Sequence, residues 1–385
     1  MPNNGQLPAV EGTEPLDQLR IRDSIFRASI DYFLTPIGAL LEDPTVTEIM
    51  VNGPDNIYIE RGGRIEKTSC HFASEDVLLS AARNIAQWVG RELNPDQPAL
   101  DARLPDGSRV HILAPPACRT GVCLTIRKFY AGGLSLDDLI ARNTLTPAAR
   151  EFLEVCVRLG KNIIVAGGTG TGKTVLLSAL TEAIPARERV IVIEDTSELK
   201  LRQPHVLYLE AQPPISESSP GLTIRQLFVA SLRMRPDRIL VGEVRGGEAL
   251  DMVQAMLSGH AGSLCTVHAN GPREALTRLE TLVLMADVQL PVYVARTQVA
   301  SAIDLVVHIA RFSEDGSRRV TQISEVTELD EKDRYLLRPL FNLAADASKQ
   351  GGLSLQPTGQ KPSFAGEAAL HGMSNLNASQ ALWGV

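Results

Sequence analysis

The stretch VAGGTGTGKTVLL, Val165 to Leu177, constrains this chain more than any other. It joins a short apolar run to a glycine-rich turn and then to a Lys-Thr pair that opens a second apolar segment. Gly167, Gly168, Thr169, Gly170, Thr171, Gly172, Lys173 and Thr174 fit the phosphate-binding loop pattern G-x-x-x-x-G-K-[ST]. In such a loop backbone N–H groups cradle phosphates, the lysine neutralises them and the threonine hydroxyl ligates Mg²⁺. A strand running into the turn and a helix leaving it predict an α/β domain that binds a nucleoside triphosphate. The loop does not say what hydrolysis drives, because kinases, helicases, transporters and assembly motors all use it.

The surrounding pattern fixes the fold class as α/β. The runs NIIVAG, VIVIED and RILVGE, each bounded by polar residues and separated by helical stretches, predict buried strands of a mostly parallel sheet with crossover helices. That domain is expected over residues 146–345, opened by Thr146 as helix N-cap and Pro147 at the first helical position. Residues 1–35 read as a polar segment and an amphipathic helix, in which Leu19, Phe26, Ile30 and Phe33 recur at helical spacing. Residues 36–130 read as a mixed α/β domain. It has a hairpin at Arg61-Gly62-Gly63-Arg64, a helix over VLLSAARNIAQWVGREL and a second turn at Asp106-Gly107. The glycines of AGG at 131–133 suit a flexible linker, expected over 131–145, and residues 346–385 read as a polar, loop-like tail.

Composition narrows the function classes. A formal net charge of -7 over 385 residues opposes a protein that coats nucleic acid, since sequence-independent binding rests on clustered Lys and Arg. No run reaches the roughly 18 uninterrupted apolar residues of a membrane span; the most apolar long stretch, Val292 to Ala310, contains Arg296 and Asp304. The opening MPNNGQLPAVEGTEP lacks the pattern of a secretory signal, so a cytoplasmic location is expected. Five cysteines, Cys70, Cys118, Cys123, Cys156 and Cys265, are an odd number with no CxxC pair, and read as reduced, mostly buried residues.

Three further segments carry candidate chemistry. VIVIEDTSEL ends a predicted strand with Glu194, Asp195 and Glu198, carboxylates aimed at the same crevice as the phosphate loop; their chemistry suits orienting water or ligating Mg²⁺. RPDRILVGEVRGGEAL places Glu243 after Ile239, Leu240, Val241 and Gly242, where a nucleotide hydrolase keeps the carboxylate that holds Mg²⁺. Many phosphate-loop proteins have aspartate where Gly242 stands. GHAGSLCTVHANGP carries His260 and His268, the latter following the strand-like LCTV and expected at the nucleotide edge of the sheet.

In order, GGTGTGKT, VIVIEDTSEL, RPDRILVGEVRG and GHAGSLCTVHAN resemble the Walker A, Asp, Walker B and His boxes of the type II/type IV secretion and pilus motor ATPases. Glycine before the Walker B glutamate is that superfamily's habit. LLEDPTVTEIMVNGPDNIYIERGGRIEK and RLPDGSRVHILAPP with LTIRKF further resemble the amino-terminal domain of its tight-adherence (Flp/Tad) pilus branch, the CpaF-like motors. The similarity runs from Leu34 to Leu329 and takes in PTGQKPSF. It implies a RecA-like carboxy-terminal domain, with ATP and Mg²⁺ as cofactors. Lys173 and Thr174 would hold the β/γ-phosphates and Mg²⁺, Glu243 would coordinate Mg²⁺ or its water, and Glu194 with Glu198 would polarise the attacking water, the principal base being left open. His268 would sense the γ-phosphate, and Arg103, Arg109 and Arg127 match positions where such motors supply arginines to the nucleotide, a task suited to the planar guanidinium fork. The tetracysteine zinc module of some type II members is absent, so no structural metal is expected. The segment from Cys118 to Cys123 departs from relatives, and Arg119 is given no role.

The resemblance implies a homohexameric ATPase at the cytoplasmic face of the inner membrane, acting with integral membrane platform proteins to assemble a pilus or secrete protein. Membrane association would be peripheral, through those partners, and no specific nucleic acid is expected. A conjugation or type IV secretion ATPase shares all four boxes. From another class, a RecA-like nucleic-acid translocase is disfavoured by the acidic balance and the lack of a basic, aromatic-interleaved segment.

Overall fold

In a computed structural model, residues 16–129, 133–212, 221–345 and 352–371 are described. The chain divides into two units, Met1–Tyr130 and Ala131–Val385. Of the AGG segment expected to be flexible, Ala131 and Gly132 lie outside the described residues.

In the first unit, helices α1 (Leu16–Phe33) and α2 (Gly38–Glu42) precede strands β1 (Val46–Asn52), β2 (Ile57–Arg61) and β3 (Arg64–Lys67). Helix α3 (Glu75–Trp88) then leads to β4 (Ala99–Arg103), β5 (Arg109–Leu113) and β6 (Cys123–Arg127). The strands form one antiparallel sheet in the order β3-β2-β1-β6-β5-β4. The hairpins expected at 61–64 and 106–107 are β2–β3 and β4–β5. Alternation sorts the strand residues by face: Ile49, Val51, Ile57, Ile59, Val110, Ile112, Leu124 and Ile126 are buried beneath α3, whose Leu78, Ala81, Ala82, Ile85 and Ala86 meet them. Helix α3 starts where it does because the Ser74 hydroxyl accepts the Val77 N–H, with Glu75 and Asp76 favourably placed in the first turn.

The second unit begins with α4 (Leu136–Ala141) and α5 (Pro147–Arg158), followed by β7 (Ile163–Gly167) and α6 (Lys173–Leu180). Next come β8 (Val190–Glu194), β9 (Val206–Glu210), α7 (Ile224–Ser231), β10 (Arg238–Val241), α8 (Glu248–Leu257) and β11 (Leu264–His268). Helices α9 (Pro272–Leu284) and α10 (Val292–Ala302) lead to β12 (Leu305–Arg311), β13 (Arg318–Leu329), β14 (Tyr335–Ala345), β15 (Leu353–Pro357) and α11 (Ala365–Leu370). One nine-stranded sheet runs β15-β14-β13-β12-β7-β11-β10-β8-β9; β12 through β9 are parallel, and β13 to β15 add antiparallel strands at one side. Every residue of β7, β8 and β10 is buried, which is why these strands read as continuous apolar runs. Along β7, Ile163 and Val165 face α4, α5 and α6, whereas Ile164 and Ala166 face α7 to α10. This is the three-layer α/β arrangement of a RecA-like phosphate-loop domain.

Two expectations need correction. Residues 131–145 were expected to be linker, yet Leu136–Ala141 form a helix with a Ser135/Asp138 capping box, and Leu136 and Leu139 belong to the core. The tail from residue 346 was expected to be loop-like, yet β15 pairs with β14, and Leu355, Phe364 and Ala368 are buried against the same core. Those three residues cover core while intervening polar ones bond to β13 and β14. Thr358 Oγ1 donates to Pro339 O at 2.6 Å, and the Ser363 N–H donates to Glu325 Oε1 at 2.9 Å. Among the described residues, no helix is long and apolar enough to cross a membrane.

Candidate nucleotide site

Parallel strands place their carboxyl ends along one edge, and β7, β8, β10 and β11 end there in Gly167, Glu194, Val241 and His268. The loop after β7 turns back through Gly170 and Gly172 at φ 69° and 91°, left-handed positions that glycine takes without strain. Thr171 Oγ1 donates to Gly168 O at 2.9 Å, and Lys173 Nζ donates to the same carbonyl at 2.8 Å. Gly172 caps α6 with no side-chain acceptor, so the first N–H groups of that helix face the loop, the arrangement that receives a phosphate. Lys173 is buried, Thr174 half-buried beside it and Thr169 exposed at the loop's tip.

From Lys173 a chain of contacts crosses the edge. Its Nζ lies 3.5 Å from His268 Nδ1, and the ring's other nitrogen, Nε2, lies 2.9 Å from Glu243 Oε1. Arg245 then bridges two carboxylates, with Nη2 at 2.8 Å from Glu243 Oε2 and Nη1 at 3.1 Å from Asp195 Oδ2. Burial, reinforced by the Lys173 charge, holds His268 below its ordinary pKa, so its neutral ring donates to the Glu243 carboxylate. The hydrogen bond to Glu243 leads the causes that raise Arg245, followed among the charges by Asp195 and Glu198.

Glu194 occupies a different position from its neighbours. It is buried, and its Oε1 accepts the N–H groups of Glu198 and Leu199 at 2.9 and 3.0 Å, so this carboxylate shapes the turn that presents Glu198. It also accounts for Gly242: a Cβ on Gly242 would stand 2.7 Å from Glu194 Cγ. Any side chain there, aspartate included, would force Glu194 to shift, which gives a physical reason for glycine before Glu243.

The structure thus brings together Lys173, His268, Glu243 and Asp195 from the sequence reading and adds two residues that reading missed. Arg245 had a visible signal, a cation two positions after the strand-end carboxylate. Arg318 had none: it arrives on β13, and its Nε donates to Gly170 O at 2.9 Å, bracing the phosphate loop from outside. His260 precedes β11 and is separated from His268 by the whole strand. Arg103, Arg109 and Arg127 belong to the first unit. There Arg103 pairs with Arg109, Arg109 with Arg127, and Arg127 with Glu48, so the three arginines form one row across β4, β5 and β6 on the face opposite α3.

The residues suit a nucleotide and Mg²⁺. A buried ammonium, an uncapped helix start and a threonine at its second residue suit phosphates, and Thr174 and Glu243 carry the kind of hard oxygen atoms that Mg²⁺ prefers.

Comparison with known proteins places the chain. Residues 33–346 match the model of the family described as "Type II/IV secretion system protein". The chain belongs to that family, and with its phosphate-loop domain it is an ATPase. It is 37% identical over 322 residues to the type IV secretion system protein PtlH of Bordetella pertussis, covering 76% of this chain and 94% of PtlH. It is 35% identical over 327 residues to VirB11 of Brucella suis, covering 78% and 90%. A putative conjugal transfer protein of Mycobacterium tuberculosis is 34% identical over 297 residues, covering 76% and 84%. Among solved structures, the ATPase DotB of Yersinia pseudotuberculosis shares the fold at 17% identity, with a TM-score of 0.56, covering 79% of this chain and 80% of DotB. The pilus retraction motor PilT with bound ADP does so at 17% identity, with a TM-score of 0.53, covering 85% and 82%.

Proposed function

We propose that the chain is a Mg²⁺-dependent ATPase that works as a homohexamer at the cytoplasmic face of the inner membrane and drives pilus assembly or protein secretion through integral membrane platform proteins. The observation that carries the reading is the run of contacts Lys173–His268–Glu243–Arg245–Asp195 beside the uncapped start of α6. Lys173 and the backbone N–H groups of Gly168 to Thr174 bind and neutralise the phosphates. When bound, Mg²⁺ would screen the phosphate oxygens, held by Thr174 and Glu243. Glu194 fixes the turn, Glu198 orients the attacking water, and His268 couples the lysine to Glu243. Arg103, Arg109 and Arg127 supply positive charge during turnover. The domain limits proposed are the two units, with α4 assigned to the ATPase unit rather than to a linker.

Within the family we favour the tight-adherence pilus branch, on the resemblance of the amino-terminal segments, whose β4–β5 hairpin and β6 carry the arginine row. The second reading is a type IV secretion or conjugation ATPase, favoured by the printed descriptions of PtlH, VirB11 and the conjugal transfer protein. Purified full-length chain is expected to hydrolyse ATP with Mg²⁺ and to stop with EDTA, and to sediment as a hexamer with nucleotide. Deleting the gene in its source organism is expected to remove surface pili and leave DNA transfer intact. Loss of transfer with pili retained moves the assignment to conjugation. Strong stimulation of the ATPase by DNA supports the translocase instead.

A further inference from the structure

The connection from β5 to β6 carries Cys118 and leads into Cys123, the first residue of β6, and three hydrogen bonds hold it. The Cys118 N–H donates to Ala114 O at 3.1 Å, and Val122 O accepts the Gly53 N–H at 3.1 Å. The Val122 N–H donates to Glu75 Oε1 at 2.5 Å, tying the turn to the first residue of α3. Gly121 sits at φ 104°, and a Cβ there would stand 2.5 Å from the same oxygen, so only glycine lets the turn close on that carboxylate.

The closed turn brings the two sulfur atoms to 3.3 Å, with Thr120 Oγ1 at 3.2 Å from Cys118 Sγ. Both thiols are partly exposed, whereas Cys156 and Cys265 are fully buried. The two pairs also differ chemically. Burial pushes the Cys265 thiol up to about 12 and raises Cys156 well above its ordinary value, which makes both inert. Hydrogen bonds from Thr120 and Cys123 pull Cys118 down, while burial pushes Cys123 up, the asymmetry of an attacking and a resolving thiol.

We propose that Cys118 and Cys123 form a reversible dithiol–disulfide site, oxidised by a small-molecule disulfide of the glutathione type. The Cys118 thiolate attacks one sulfur of the small disulfide, whose S–S bond breaks, and the departing thiolate takes up a proton. Cys123 gives its proton to solvent, its sulfur attacks Cys118 Sγ, and the second small thiol leaves. Two protein thiols lose two hydrogens in all, and the small disulfide becomes two thiols. The sulfur atoms have about 1.3 Å to travel to bonding distance, which side-chain rotation supplies. The ring closed runs only from Cys118 to Cys123, so the bond removes little chain entropy from the unfolded state. Such a bond, partly exposed at a tight turn, is readily reduced again. Cys123, Thr125 and Arg127 share one face of β6, so the site modifies one end of the strand that bears the arginine row at the other.

The test equilibrates full-length protein with stepped ratios of reduced to oxidised glutathione, then applies acid quenching, alkylation and peptide mass spectrometry. Alkylation at Cys118 and Cys123 is expected to be lost together, with their peptide lighter by two hydrogens, while Cys70 stays alkylated. Dithiothreitol is expected to restore both thiols. Cys123→Ser is expected to trap glutathione on Cys118, because the resolving thiol is gone. Two results overturn the proposal: a stable glutathione adduct on Cys118 of the unsubstituted chain with Cys123 still alkylated, or both thiols still alkylated at the most oxidising ratio.

Discussion

At the edge of the nine-stranded sheet, Glu243 sits between His268 at 2.9 Å and Arg245 at 2.8 Å, and Arg245 reaches on to Asp195 at 3.1 Å. On the face of the six-stranded sheet opposite α3, Arg103, Arg109 and Arg127 stand directly opposite one another on neighbouring strands. The first arrangement sets carboxylates against cations and compensates its own charge. The second sets like charges at cross-strand positions, which costs stability relative to neutral pairs. Glu48, opposite Arg127 on β1, supplies an acid at one end of the row; in the proposed function the first region binds the phosphates and the second supplies positive charge during turnover.

The largest effect expected from breaking this division is at the self-compensated edge. Lys173→Ala removes the ammonium that bonds Gly168 O and approaches His268, and turnover should fall by about a hundredfold or more; steady-state phosphate release measures it. At the arginine row the loss should be smaller and of another kind. Arg127→Ala is expected to lower turnover about tenfold while ATP affinity stays within about threefold, the pattern of a charge used mainly during hydrolysis. Equal loss in affinity and turnover would assign Arg127 to ground-state binding instead.

Two smaller effects sharpen the account of the edge. Gly242→Ala places a methyl group 2.7 Å from Glu194 Cγ, and unfolding in urea should show a loss of about 1–3 kcal/mol, the usual cost of overpacking. His268 is held below its ordinary pKa by burial and then by Lys173, so below about pH 6.5 the unfolded chain binds more protons at this residue than the folded one. Its contribution to stability is therefore full above that pH and is lost as pH falls through the depressed folded value. Replacing it with glutamine should flatten the decline of Tm over about pH 7 to 5.

The two regions were also unequally legible. The phosphate loop, Glu243 and His268 follow continuous apolar strands whose ends are fixed by parallel pairing, so local sequence sufficed to place them. Arg318 reaches Gly170 only because β13 pairs with β12, and no local pattern reports a pairing between distant strands. The arginine row came from resemblance; that its members are cross-strand neighbours is a matter of register. Helix α4 and strand β15 were hidden for a simpler reason: each contributes one or two apolar residues to a core built elsewhere, too few to set a period.

Glu243 is the central residue of the proposed site: its two oxygens receive His268 and Arg245, while phosphate binding is assigned separately to Lys173 and the start of α6. Glu243→Gln keeps the shape and removes the charge. ATP affinity and steady-state hydrolysis measured on the same preparation of this variant and the parent test the division of roles directly. The account predicts affinity within about threefold and hydrolysis slowed about a hundredfold. Hydrolysis at the parental rate, or affinity and hydrolysis lost in equal measure, would contradict it.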